Sequence, residues 1–371
     1  VTPVRDLDGN LYNTPTTTYS NPYVDYIDGK YQSLIYRNIG NIYAQYSFLP
    51  NLFFRTELGA DIQNQNDDQF YGFNTTYGNG TNGYGESDWY RSLDYNVNNF
   101  FNYKKTFADV HDLDAIIGMS YQRYNSEYAN VFGEQFPVED LQKLASSALI
   151  KGGTSVESNS SFLSYFLRAN YKFSNKYLFT FSGRVDGSSV FGNDRRYGFF
   201  PALSAGWIAT EEEFLKNSNW LSFLKLRGSW GLTGNADGFG DFAHLGLWAG
   251  SSYNGTSGLV PTQLANDKLR WEKSNQVDIG LDFGLFNNRI SGEIDFYNRK
   301  TNDLIYNVPV PSNSGFTTQT VNIGAMQNRG VEIVLNSDNI STRSFRWSTN
   351  LNVSFNKNKI LNINGPEITP N

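Results

Sequence analysis

Only two side chains in this sequence can act as an imidazole base near neutral pH, His111 and His244. His111 lies in Asp109-Val110-His111-Asp112, where the chain is expected to turn, and a solvated turn residue is its expected role. His244, in Phe242-Ala243-His244-Leu245 near a strand or loop, is expected in the same bland structural role, and no triad is assembled. Cysteine is absent, which removes thiol nucleophiles, thiolate metal sites and disulfides together. Asp6, Asp8 and Asn10 in DLDGN place oxygens at alternate positions, as at the start of a calcium loop. The glutamate that should close such a loop is missing, so an Asp-Gly turn is expected instead. Gly234 and Asn235, with Gly238 and Gly240 beyond, offer backbone for a phosphate, yet no lysine follows where a phosphate loop needs one. A flexible surface loop is the reading. No catalytic residue, metal site or cofactor is therefore expected.

The composition points to a sheet. Of 371 residues, 16% are aromatic and 34 are glycine, while mean hydropathy is −0.48. Basic residues number 30 and acidic residues 36, giving a formal charge of −6. With no cluster of Lys and Arg, nucleic acid is an unsuitable partner. The longest nearly apolar run, Phe199 to Ala209, is shorter than the roughly 20 residues a membrane helix needs, and Pro201 interrupts it. That excludes helical spans but leaves both a membrane barrel and a soluble sheet. The lack of cysteine is compatible with an oxidising envelope compartment.

Alternation with period two is the main pattern. Leu163, Tyr165, Leu167, Ala169, Tyr171 and Phe173 alternate with Ser164, Arg168, Asn170 and Lys172. After a turn of Ser174 to Lys176, Tyr177, Phe179, Phe181 and Val185 alternate with Thr180, Ser182, Arg184 and Asp186. Extended along the chain, this predicts about twelve strands, at 34–49, 52–70, 88–104, 112–127, 160–173, 177–189, 196–208, 222–232, 269–284, 288–304, 329–338 and 345–358. Short helical cues stand at Val138 to Ile150 and Glu211 to Leu221, and no internal domain boundary is expected, so 1–371 is treated as one piece. Connections alternate between tight turns, such as Pro50-Asn51 and Asn287-Asn288, and long gaps near 71–87, 128–159 and 233–268. That asymmetry fits periplasmic turns and extracellular loops on a transmembrane antiparallel β-barrel. Aromatics beside the tight turns, among them Tyr46, Phe48, Phe101, Tyr171, Phe173, Tyr177 and Phe283, would form one interfacial girdle.

The barrel reading assigns two groups of residues. Arg55, Glu57, Arg168, Arg184, Asp186, Asp278, Asp282, Glu293 and Asp295, with Arg37, Asp61, Asp94 and Arg346, would line the lumen or touch a plug. Their mixed signs argue against a simple ion-selective pore. Tyr84, Trp89, Tyr90, Trp248 and Tyr253, together with Tyr71 and Tyr77, are expected in long loops. There they would stack on sugar rings, pack against a lid, or pack on one another.

Several segments resemble the SusC/RagA-type TonB-dependent transporters of Bacteroidetes outer membranes. They are GRVDGSSVFG (Gly183 to Gly192), FPALSAGWIATEEEFLK (Phe200 to Lys216), LKLRGSWGLTGN (Leu224 to Asn235), LRWEKSNQVDIGLDFGLFNNRISGEIDFYNRKTNDLI (Leu269 to Ile305), NIGAMQNRGVEIVL (Asn322 to Leu335) and FRWSTNLNVSFNKNKIL (Phe345 to Leu361). The resemblance implies a barrel of about 22 strands with an amino-terminal plug and a SusD-like lipoprotein lid, of which this chain is the middle. Neither Val1 nor the closing Glu367 to Asn371 looks like a native end. It further implies active import of oligosaccharides or peptides, energised through TonB-ExbB-ExbD, in a protein bathed in outer-membrane lipid and not an enzyme. A passive porin or structural barrel, and a soluble β-sheet surface glycan-binding protein, are the alternatives.

Overall fold

A computed structural model describes residues 4–5, 7–9 and 21–363. Asp6 and Asn10 of DLDGN, and the last residues 364–371, lie outside this range, so the calcium-like spacing is not placed. One short helix, α1 (Pro22–Asp28), opens the described chain, with Asn21 accepting the Tyr23 amide as N-cap and proline in the first turn. The rest is strand. β1 (Gly29–Leu49), β2 (Leu52–Tyr71), β3 (Tyr84–Phe107), β4 (His111–Glu134), β5 (Leu149–Phe173), β6 (Tyr177–Ser188), β7 (Tyr197–Ile208) and β8 (Leu221–Asn235) come first. A hairpin, β9 (Leu247–Tyr253) and β10 (Thr256–Gln263), precedes β11 (Glu272–Leu285) and β12 (Ile290–Asn302). A second hairpin, β13 (Ile305–Pro309) and β14 (Thr318–Asn322), precedes β15 (Ala325–Ser341) and β16 (Arg346–Asn362).

Twelve strands form one sheet in the order β1-β2-β3-β4-β5-β6-β7-β8-β11-β12-β15-β16, and the two hairpins are separate two-stranded sheets. Each strand neighbours its predecessor, the arrangement that short antiparallel connections enforce. Among the described residues the order does not return from β16 to β1, so the sheet is an open segment.

Two compact units divide the chain: Val1–Ile42, Leu58–Asn96 and Gln122–Ser160 in the first, and Tyr43–Glu57, Val97–Tyr121 and Ser161–Asn371 in the second. The second contains all the tight turns. Ala108 and Asp109, Ser174 and Asn175, and Phe286, Asn287 and Asn288 all have positive φ. Consecutive left-handed residues give the turn twist that matches right-twisted strands, and Asn and Asp tolerate it. Five of the six connections at this end are also laced to the next strand pair by backbone bonds, Lys104 N to Asn51 O (2.9 Å), Ser174 N to Val110 O (2.7 Å), Ile208 N to Lys176 O (2.8 Å), Phe286 N to Trp220 O (2.8 Å) and Asp338 N to Arg289 O (2.8 Å).

The structure corrects several expectations. Strands β2 to β5 run further than alternation implied: β3 begins at Tyr84, β4 continues to Glu134 and β5 begins at Leu149. The segment 149–160 carries polar or small residues on both faces, so no apolar row announces it. Val138 to Ile150 holds only a 3₁₀ turn at Leu144–Ser146, and Glu211 to Leu221 only the end of one at Ala209–Glu211. Gly234 and Asn235 are the last residues of β8 and not loop. A β-carbon on Gly234 would lie 2.2 Å from Phe200 Cζ and 2.7 Å from Trp271 Cε3, which is why that position has none.

Candidate functional site

Directly paired residues of antiparallel strands share a face, so register sorts the second unit into two surfaces. From β5 to β16 one face reads as polar. Asp186 pairs with Ser164, and Arg184 donates to Asp186 Oδ1 (2.5 Å) and to Ser164 Oγ (2.8 Å). Arg168 pairs with Ser182 on the same face. Farther along, Arg227, Gly280 and Asp295 stand in one row across β8, β11 and β12, and Lys225, Asp282 and Glu293 form the row beside it.

These two rows close into a network centred on Arg227. Its Nε donates to Asp282 Oδ1 (2.9 Å) and its Nη2 to Asp295 Oδ2 (2.6 Å), while Glu293 stands 3.7 Å away. Lys225 Nζ reaches the other Asp282 oxygen at 3.1 Å. Asp278 accepts from Ser229 (3.1 Å) and Gln276 (2.9 Å). Gly280 makes the crossing feasible, because a β-carbon there would sit 2.5 Å from both Arg227 Cζ and Asp295 Oδ1. Beside the network Thr180, Ser204, Gly206, Lys225 and Arg227 border a hollow of about 240 Å³. Arg55 and Glu57 share a face of β2, 2.7 Å apart, with the guanidinium 3.9 Å above the Tyr43 ring.

The opposite face is apolar and bare. Register joins Phe181 to Leu203, Leu203 to Trp230, Trp230 to Val277, Leu281 to Ile294 and Ile294 to Ile333. Of these, Phe181, Leu203, Val277 and Ile294 are exposed, as is Ile279 at 59%. A soluble sandwich would bury such a row against a second sheet. Near the tight turns the face becomes aromatic: Tyr46 and Phe48 (4.8 Å), Phe54 and Phe101 (5.0 Å), and Phe173 and Tyr177 (6.1 Å) are in ring contact. His111 belongs to this belt and is not a solvated turn residue. It opens β4, stacks on Phe173 at 4.9 Å, and its Nδ1 is 2.7 Å from the Tyr171 hydroxyl.

At the same rim the Glu212 carboxylate accepts from Tyr177 Oη (2.6 Å), Lys176 Nζ (3.0 Å) and Trp207 Nε1 (3.2 Å). The Tyr177 hydroxyl above all, then the lysine and the indole, hold its pKa down at about 2. The Lys176 ammonium is raised in return.

The loop end of the second unit is built on a small core. Phe191 and Leu269 are fully buried, and Val190, Phe200, Ala243 and Trp271 pack with them. His244 serves this core, with Nδ1 3.0 Å from the Val190 carbonyl. A latch holds the adjoining segments: Arg270 pairs with Asp303 (2.8 Å), which raises the guanidinium pKa, and Asn322 donates to the carbonyls of Arg270 (2.7 Å) and Asp303 (2.9 Å). Above it stands the β9–β10 hairpin, without a charged residue from Leu245 to Ala265, exposing Trp248 at 64% and Tyr253 at 88%.

Tyr84, Trp89 and Tyr90 lie elsewhere, within the first unit. They belong to β3 and not to a loop. Tyr84 donates to Glu86 (2.8 Å), the Tyr90 and Tyr124 hydroxyls are 2.9 Å apart, and Asn130 bridges Glu86 and Asp88. Trp89, between Asp88 and Tyr90, points to the other face. Arg37 pairs with Asp61, and Asp94 accepts from Gln122. Sequence reasoning missed Arg227 and Lys225. The alternation of Lys225, Arg227 and Ser229 with Leu224, Leu226 and Trp230 was the signal that marks them. Among the described residues no group of three His, Asp or Glu is placed to hold a metal ion.

A sheet one residue thick, bare and apolar on one face, with paired charges on the other and aromatics at its turn end, is the wall of a transmembrane β-barrel. More particularly, the chain belongs to the family described as TonB dependent receptor-like, beta-barrel, whose profile matches residues 2–368. It is 36% identical over 346 residues to the TonB-dependent receptor SusC of Bacteroides thetaiotaomicron, covering 88% of this chain and 33% of SusC. The TonB-dependent receptor P39 of Formosa agariphila is 36% identical over 325 residues, covering 86% of this chain and 31% of P39. The chain thus spans about a third of these relatives. A solved structure of the RagAB peptide transporter superposes with a TM-score of 0.88 at 30% identity, covering 96% of this chain and 40% of that one. The chain is therefore an outer-membrane protein segment in a receptor family and not an enzyme family, and the apolar face is its lipid face.

Proposed function

We propose that this wall belongs to an active importer that takes an oligosaccharide or peptide from a SusD-like surface lipoprotein and passes it inward when TonB, driven by ExbB-ExbD, moves a plug. The observation that carries the proposal is the polar face. Arg184 with Asp186, and Arg227 with Asp282 and Asp295, neutralise one another along the wall and leave no field of one sign to select an ion. A lumen of this kind suits contact with another protein surface. We place Arg55, Glu57, Arg168, Arg184, Asp186, Asp278, Asp282, Glu293 and Asp295 there, with the hollow beside Arg227 as a seat for the plug. Trp248 and Tyr253, on an uncharged hairpin fixed to a buried base, are proposed contacts for lid or cargo. The kinship with SusC, a TonB-dependent receptor, supports the TonB-driven reading, and the likeness to the RagAB peptide transporter supports a peptide as one of the two cargo classes.

Uptake of labelled maltooligosaccharides and of labelled oligopeptides by cells expressing the intact protein tests this. Accumulation of one cargo that stops when tonB is deleted is expected. Uptake that persists without TonB and follows the concentration gradient would instead identify a passive porin, and no uptake of either cargo would remove the substrate claim.

A further inference from the structure

Five of the connections at the tight-turn rim are 50–51, 108–110, 174–176, 286–289 and 342–345; the sixth, 209–220 between β7 and β8, is far longer. It is nonetheless well folded. Leu215 N and Lys216 N bond to the Glu212 carbonyl at 3.0 and 2.9 Å, Ser218 N to Leu215 O at 3.0 Å, and Leu224 N to Thr210 Oγ1 at 3.3 Å. Glu212 fixes its direction, because Tyr177 and Trp207, which grip the carboxylate, pair directly across β6 and β7 and stand on the lipid face. The connection is therefore folded outward over the aromatic girdle and not beneath the lumen. There it exposes Phe214 at 74% and Trp220 at 58%, flanked by exposed Glu211, Glu213 and Lys216.

We infer that residues 211–220 form an interfacial foot, in which Phe214 and Trp220 rest in the headgroup layer of the adjacent leaflet and extend the lipid contact of Tyr177 and Trp207. The inference goes beyond the transport reading and does not depend on any cargo. Aromatic side chains favour this layer because it accepts a flat apolar body and a polar edge together. A carboxylate so close to lipid is costly unless its oxygens are satisfied, and Glu212 has three donors. Glu211, Glu213 and Lys216 stay in water on the outer side, as an amphipathic surface segment requires.

The chain contains no cysteine, so single nitroxide labels can be placed within it. The intact protein carrying Phe214→Cys, Asn217→Cys or Ile279→Cys, each checked by heat-modifiable mobility, is labelled in nanodiscs of phosphatidylethanolamine and phosphatidylglycerol. Power saturation with oxygen and a polar nickel chelate then reads depth. Expected is an oxygen preference at 214 between that of 279 and that of 217. Equal nickel accessibility at 214 and 217 would overturn the inference, as would a label at 214 shielded from both reagents, which would mark a protein contact. Unlabelled protein supplies a second reading. A photoactivatable phosphatidylethanolamine should modify the peptide containing Phe214, and its absence from that peptide while Tyr177 is modified would also overturn the inference.

Discussion

Removing the Arg227 guanidinium takes away the cation that Asp282 and Asp295 share, and leaves Asp282 its contact with Lys225. An exposed ion pair contributes under about 1 kcal/mol and breaking a buried one costs about 3–5 kcal/mol. Arg227 is about a third exposed and its partners less, so Arg227→Ala should cost about 1–3 kcal/mol in urea unfolding of the lipid-inserted protein. Glu293→Gln, which alters an exposed partner at 3.7 Å, should change little. Comparable losses in the two variants would show that the network is not the unit described. A second residue-scale prediction concerns acid. Glu212 is held at about 2 against an ordinary 4.5, so its contribution is present above pH 4.5 and fades as pH falls from there toward 2. The protection of the 209–220 amides, taken as exchange relative to the intrinsic rate at each pH, should fall over that window in the wild type, whereas Glu212→Gln should be weakly protected at every pH. A pH-independent wild type would refute the assignment. The individual charges were legible in the sequence, but their partnerships were not. Arg227 meets Asp295 over a sequence separation of 68 residues, and only strand register brings them together.

At the scale of the element, the faces of one strand predict opposite responses to the same substitution. Ile279 is mid-strand on the lipid face, where arginine costs about 2–4 kcal/mol near the bilayer midplane. Gln276, on the polar face of the same strand, should accept arginine with a small effect. Equilibrium folding into lipid vesicles would distinguish the two, and equal penalties would contradict the sorting of faces. The Gly280→Ala variant should fold yet lose the Arg227–Asp295 contact, seen as a smaller stability difference between it and Gly280→Ala with Arg227→Ala than between wild type and Arg227→Ala. Twelve main strands were readable because hydrocarbon demands an apolar residue at every second position. Where a strand leaves that demand, as β5 does over Leu149 to Ser160, the pattern stops though the hydrogen bonding does not. The β9–β10 and β13–β14 hairpins escaped because short, Gly- and Pro-containing segments without an apolar face carry no such imprint. The α1 signal, Asn21 followed by Pro22, was present and too short to stand out.

For the whole molecule the prediction concerns the solvent it requires. The intact protein should extract only with detergent, show a strand-dominated far-ultraviolet spectrum, and migrate differently before and after boiling. Free solubility without surfactant, or a mainly helical spectrum, would be incompatible with the bare apolar face.

The backbone bonds that tie five of these turns to the next strand pair, from Asn51 through Val110, Lys176, Trp220 and Arg289, have a mechanical consequence. They run across the strands at one end of the open sheet, so a pull on any one of these turns is passed to the strand pair beside it before that end of the sheet can part.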